Sequence, residues 1–447
     1  MTLVCAGLLV LLIIASSSFT VIESHPADVL PSQETVALFV NADEEILRRF
    51  EVVFPELKNV SPAPDKTIAL LAIGESRVVA QIQEDTKSQT TDEQTKVGQF
   101  IVTLSDPTAT SLFTDPTPRL ASAMHYQKLG QQKTREEQWV YLDLSMLPSP
   151  VTLPQNILRT LMPEGSTHAA FTFSNQTTIV ELFSEQAAEY QGISPVIQSA
   201  FIGERMTVRL SDVVRAWEQI LSHLDDSSKN LLQGGLEQFI ADTFGEEIST
   251  TYDLLPLLHG PATLHIGQNS SGALLFALEG VASSTKNVRT QINALHRGFQ
   301  SMLPGTRTIQ RKLDDNFTSE DIRIDQNIIK QEEREHGHWQ IRRTSHEDGR
   351  TFVTASLGGT FVLANDMQSL EQILERDARI VTPTGPSLIA TVRLADGYAE
   401  EGILEELFPE LDKDETLLPL LPEFTGKILW SIEQRGPVTT LTVKARE

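Results

Sequence analysis

The residues whose types and spacing suit metal chemistry lie in one stretch, EREHGHWQIRRTSHEDGR, which carries His336, His338 and His346. On a β-strand His336 and His338 point to the same face, and a third imidazole from a facing strand, His346, completes a zinc site. A metal-dependent hydrolase is the activity such a site implies. Against it stand Gly337 and the charged run before it, which suit a strand start or a turn, where histidines are commonly solvated. The H-E-x-x-H pattern does not occur.

Two other patterns carry less. In DDNFTSEDIRID, Asp314, Asn316 and Thr318 take the first, third and fifth positions of a calcium-type loop and Asp325 the twelfth, but the sixth position lacks glycine. A solvated acidic loop is the default reading. Ser283 and Lys286 satisfy S-x-x-K without the K-T-G that accompanies it in acyl-transfer enzymes. G-x-S-x-G, a Walker-type phosphate loop and G-x-G-x-x-G do not occur, so hydrolase and nucleotide chemistry lack their usual support. No cofactor is implied.

The chain of 447 residues is 40% hydrophobic and 21% charged, within the globular range, and long enough for roughly two or three domains. Its 36 Lys and Arg against 60 Asp and Glu leave a net charge of −24. Such a surface repels phosphate backbones, which argues against nucleic acid as a partner. The single cysteine, Cys5, lies inside an N-terminal apolar run and leaves the rest of the chain without thiols or disulfides.

That run, Leu3 to Ile22, carries no charge, and about twenty helical residues span a ~30 Å hydrocarbon core. It reads as a signal peptide or membrane anchor over residues 1–24, with the membrane as a partner through this segment. The expected location is therefore membrane-anchored or secreted, on the extracytoplasmic face. The flank that follows is acidic, which offers no reason for cytoplasmic retention.

The elements that position these residues show internal repetition. VALFVNADEEILRRFEVVFPEL, Val36 to Leu57, resembles IATVRLADGYAEEGILEELFPEL, Ile389 to Leu411. Each begins as an apolar, β-branched strand and reaches an Ala-Asp pair, where Asp43 and Asp396 are expected to cap a helix. Ile46, Leu47, Phe50, Val53, Phe54 and Leu57 then form one helical stripe, and in FPEL the Phe and Leu are buried while Pro55 or Pro409 ends the helix. Hairpins follow, at Thr67 to Ile82, after LPLL at Leu255, and after LPLL at Leu418. Met162 to Ser174 is expected to supply the strand that opens the middle copy, and its helices fall at Asp212 to Leu224 and Leu231 to Phe244. Further on, a helix is expected over Val288 to Met302, a meander with turns at Glu347 to Gly349 and Gly358-Gly359, and a helix from Met367 to Leu374.

The LP-led strand, amphipathic helix, DLLPLL (Asp253 to Leu258) and hairpin resemble a bacterial family of exported, N-terminally anchored proteins classed as a domain of unknown function. The similarity covers most of the chain after His25 and is best over Leu255 to Gly267. It implies an extracytoplasmic α+β protein and transfers no catalytic residues. The expected fold is α+β, with repeated strand-helix-hairpin units forming mainly antiparallel sheets and helices packed on one face. The expected organisation is a first lobe over 27–160, a second over 161–384 and a C-terminal repeat unit over 385–447. The expected role is non-enzymatic binding or scaffolding at the cell envelope, with an envelope protein or polymer as partner. The alternative is an exported metal-dependent hydrolase.

Overall fold

The computed structural model describes residues 25–146, 165–185, 192–193, 201–375, 383–384, 391–403 and 426–446, apart from single residues and short stretches within them. The chain falls into two units, Met1–Leu147 and Pro148–Glu447.

In the first unit the expected strand forms as β1 (Thr35–Val40), buried along its whole length. Asp43 Oδ1 accepts from the Ile46 amide at 2.9 Å, capping helix α1 (Glu44–Glu51) as expected. The helix stops before Pro55, which opens a 3-10 turn over Pro55–Asn59. Phe54 and Leu57 are fully buried, and the Phe39 ring meets Phe50 and Phe54 edge-on at 5.5 and 6.4 Å. The remaining elements are β2 (Lys66–Ile73), β3 (Ser76–Glu84), β4 (Gln94–Val97), β5 (Phe100–Leu104), the short helices α2 (Ser111–Thr114) and α3 (Met124–Leu129), and β6 (Gln138–Asp143). Antiparallel ladders order the sheet β6-β1-β2-β3-β5-β4.

The second unit contains β7 (Ser166–Ser174), β8 (Thr177–Ser184), β9 (Gly192–Ile193), β10 (Glu204–Leu210), α4 (Val213–Ser222) and α5 (Asp226–Phe244). Next come β11 (Ala262–Gln268), β12 (Leu274–Val281), α6 (Thr285–Met302) and a separate ribbon of β13 (Thr306–Lys312) with β14 (Thr318–Ile324). The expected meander follows as β15 (Ile329–His336), β16 (Trp339–His346), β17 (Thr351–Leu357) and β18 (Thr360–Ala364), then α7 (Met367–Glu375). β19 (Pro383–Thr384), β20 (Val392–Glu400), β21 (Lys427–Arg435) and β22 (Val438–Arg446) complete the unit. β9 pairs with β19. The main sheet runs β7-β8-β22-β21-β20-β10-β11-β12-β18-β17-β16-β15, antiparallel at every described ladder.

Mostly antiparallel sheet with packed helices makes this an α+β protein. Helices on one face only are not what forms in the second unit. Along β18 the four successive residues Phe361 to Ala364 are buried: Phe361 and Leu363 pack into a core with Val288, Ile292 and Leu295 of α6, while Val362 and Ala364 pack into another with Leu370 and Ile373 of α7. A strand that is apolar on both faces needs cover on both.

Three further expectations are corrected. Asp396 does not cap a helix but sits mid-strand in β20, fully buried, because Arg209, distant in sequence, and Arg393 of the same strand hold its carboxylate there. The strand paired with β11 is β10, not β7, which forms a hairpin with β8. The sequence of β10, ERMTVRL, is polar at the positions facing the sheet's buried ionic groups, which hides it from an apolar pattern. Finally, no helix among the described residues is long and apolar enough to cross a membrane, so the transmembrane helix is not borne out. Leu3 to Ile22 and the second FPEL, Phe408 to Leu411, lie outside the described residues.

Candidate functional site

The β15–β16 hairpin decides where the three predicted histidines fall. His336 pairs with Trp339 beside the turn, and Ile329 pairs with His346 at the other end. At ~3.3 Å per residue the seven steps from His336 to Ile329 put His336 and His346 about 23 Å apart. His338 is exposed in the turn. His346 Nε2 contacts the Pro304 carbonyl at 3.2 Å and its Nδ1 lies 2.9 Å from Asp348. The structure therefore does not bring the trio together, and no group of three His, Cys, Asp or Glu among the described residues is placed to hold a metal ion. The calcium-like stretch is also not a loop throughout, since Thr318–Ile324 is strand β14.

What the hairpin builds instead is one wall of a groove. A cavity of about 700 Å³ runs between α6 and β15–β17. Arg289 and Asn293, one turn apart on α6, face Gln340 and Arg342, which share a face of β16. Arg289 Nη2 donates to Gln340 Oε1 at 2.5 Å, and Arg342 Nη1 donates to Asn293 Oδ1 at 2.6 Å. Glu333 and Glu335 of β15 form the rim.

The second concentration of ionisable groups is buried in the sheet, and the sequence pattern did not reveal it. Thr207 of β10 is opposite His265 of β11, and Arg209 is opposite Thr263 of β11 and Asp396 of β20, so these side chains share one sheet face. A bulge between Glu204 and Met206 brings Glu204 into reach. His265 Nδ1 lies 2.9 Å from Glu204 Oε1 and its Nε2 lies 2.5 Å from Glu279 Oε1. Burial opposes a charge on this imidazole, but its bonds to Glu204 and Glu279 outweigh that and push its pKa up to about 9. His265 is therefore an imidazolium donating from both nitrogens, while Thr207 donates its hydroxyl to Glu204.

Next to it, Arg209 makes a two-point ion pair with Asp396, which also accepts from Arg393 Nη1 at 3.2 Å. Arg393 in turn donates to Glu433 through Nε at 3.0 Å and Nη2 at 2.6 Å. Polar residues alternating along β10 and β20 were the available signal, but only pairing turns them into a network.

His296 of α6 behaves oppositely. It is fully buried, with Nδ1 and Nε2 each 2.9 Å from the hydroxyls of Thr344 and Thr354. Burial, aided by the positive charge of Arg342, pushes its pKa down to about 3. The ring is neutral, one nitrogen donating and the other accepting. Two histidines of one unit thus hold opposite charge states because one meets carboxylates and the other hydroxyls.

In the first unit, burial pushes the pKa values of Tyr126 and Tyr141 well above the usual phenol range. Their hydroxyls meet His25 at 3.1 Å and His125 at 2.6 Å. Comparison of the chain with family models, with characterised proteins and with solved structures gives no match.

Proposed function

We propose that this is an extracytoplasmic protein that binds or scaffolds at the cell envelope, without catalytic chemistry of its own. One contrast carries the reading. The buried ionic groups around His265 and Arg209 bind one another, whereas the solvent-facing groove is lined by guanidinium, carboxylate, carboxamide and hydroxyl groups, which suit holding a ligand. The apolar run at Leu3 to Ile22 supports export. The resemblance of Leu255 to Gly267 to exported proteins of a domain-of-unknown-function family points the same way.

The reading includes a repeated strand-helix-hairpin architecture. Its support is three meanders of the same order, β1-β2-β3, β10-β11-β12 and β20-β21-β22, each with antiparallel neighbours. The metal-dependent hydrolase loses its motivating observation with the separation of His336 from His346.

Co-sedimentation of the purified full chain with isolated cell-envelope material tests the binding role, and protease accessibility in intact cells tests the location. Saturable retention on envelope material and cleavage by external protease are expected. A product confined to the cytosol, or turnover of an envelope substrate, would replace this reading.

A further inference from the structure

We propose that the groove between α6 and β15–β17 is a binding site for a small zwitterion of peptide size, its carboxylate held by Arg289 and Arg342 and its ammonium by Glu335 and Glu333. This inference rests on the binding role above and names the ligand class for it.

The cationic half comes from how the two arginines are held. Their groove-spanning hydrogen bonds go to side-chain amides, Gln340 for Arg289 and Asn293 for Arg342, so both guanidiniums are positioned by neutral partners, and the loose ion pair of Arg342 with the exposed Glu333 offsets its charge only in part. The Nε of Arg342 is buried and makes no hydrogen bond; Glu333 Oε1 lies 3.7 Å away, beyond hydrogen-bond reach. The charge of Arg342 is felt nearby, where it adds to burial in keeping His296 neutral. Two positioned guanidiniums with donors to spare match the planar fork of a carboxylate.

The anionic half lies on the rim. Glu335 is exposed and sits across from Gln340 in the hairpin ladder, and Glu333 sits across from Arg342. A simple anion would meet these carboxylates as repulsion, and a simple cation would meet the arginines. A ligand carrying both charges satisfies both halves. The Ser356 hydroxyl and the amide NH2 groups of Gln340 and Asn293, whose oxygens are taken by the arginines, add neutral hydrogen-bonding capacity suited to peptide amides. A volume of about 700 Å³ accommodates a short peptide.

Titration calorimetry of the purified full chain with triglycine, N-acetyltriglycine and triglycine amide tests the assignment. Triglycine is expected to bind, and each blocked peptide to bind about tenfold more weakly, the scale of one lost charge-assisted hydrogen bond. Glu335→Gln should weaken triglycine by about tenfold while leaving N-acetyltriglycine unchanged, and Arg289→Gln should weaken triglycine while leaving triglycine amide unchanged. Both substitutions are at exposed positions, and thermal melts establish that the variants fold. No binding of triglycine, equal affinity for the three peptides, or variants that affect all three alike would overturn the proposal. If envelope material still co-sediments while triglycine does not bind, the ligand assignment falls and the binding role stands. Loss of both overturns both.

Discussion

Arg209 and Asp396, 187 residues apart in the chain, are joined by a two-point ion pair between β10 and β20, with the Asp396 side chain wholly buried. Removing one member leaves the other charge stranded away from water. Asp396→Ala is expected to cost about 3–5 kcal/mol in urea denaturation, because Arg209 then has no carboxylate partner. The double variant Arg209→Met, Asp396→Leu should recover much of this loss, since no isolated charge remains. Equal costs for the single and double variants would show that packing, not charge pairing, governs the site.

His265 and His296 make stability depend on pH in opposite directions. The pKa of His265 is raised from 6.5 to about 9. Its contribution is therefore complete below pH 6.5 and is lost as the pH rises toward 9. That of His296 is lowered from 6.5 to about 3, so its contribution is present above pH 6.5 and is lost as the pH falls toward 3. Chemical denaturation across this range is expected to show His265→Gln flattening the alkaline limb and His296→Gln flattening the acid limb. Unchanged limbs would refute the assignments.

The bonds from His296 to Thr344 and Thr354 can be separated from packing. His296→Leu should destabilise by about 2–4 kcal/mol, since two buried hydroxyls lose their partner. Adding Thr344→Val and Thr354→Val removes those hydroxyls, and the triple variant should be more stable than the single one. The comparison is made from urea midpoints at pH 7.

Gly298 marks where α6 passes close to the end of α5. A Cβ there would lie 2.1 Å from the Phe244 carbonyl oxygen and 2.5 Å from Ile248 Cγ1. Gly298→Ala gains helix propensity of about 1 kcal/mol but forces the helices apart at a cost of about 1–3 kcal/mol. A net loss of stability in thermal melts is expected. A gain would mean that the crossing is looser than the geometry indicates.

The elements that were legible in the sequence depend on neighbours along the chain. The Asp43 cap, the buried Phe54 and Leu57 beside Pro55, α6, α7 and the turns of the β15–β18 meander all follow from local capping, helical periodicity or turn residues. The groove was only half legible. Its β16 wall belongs to the stretch that carries the histidines, but its other wall, Arg289 and Asn293, comes from a helix whose residues lie 51 and 49 positions before their partners on β16.

The ionic networks were not legible, and Asp396 shows why. By local pattern, an aspartate after an apolar strand and before acidic residues reads as a helix cap. In the fold, the strand continues through it because Arg209 and Arg393 supply the counter-charges. The same dependence on pairing separated His336 from His346, which their spacing alone suggested joining. Composition, local periodicity and turn chemistry determined the α+β class, the acidic surface and most described helices. Which strand lies beside which, and therefore which charges meet, was decided only by the tertiary structure. Side-chain periodicity tells which residues share a face, but the energy of a buried ion pair depends on distances set between strands far apart in sequence.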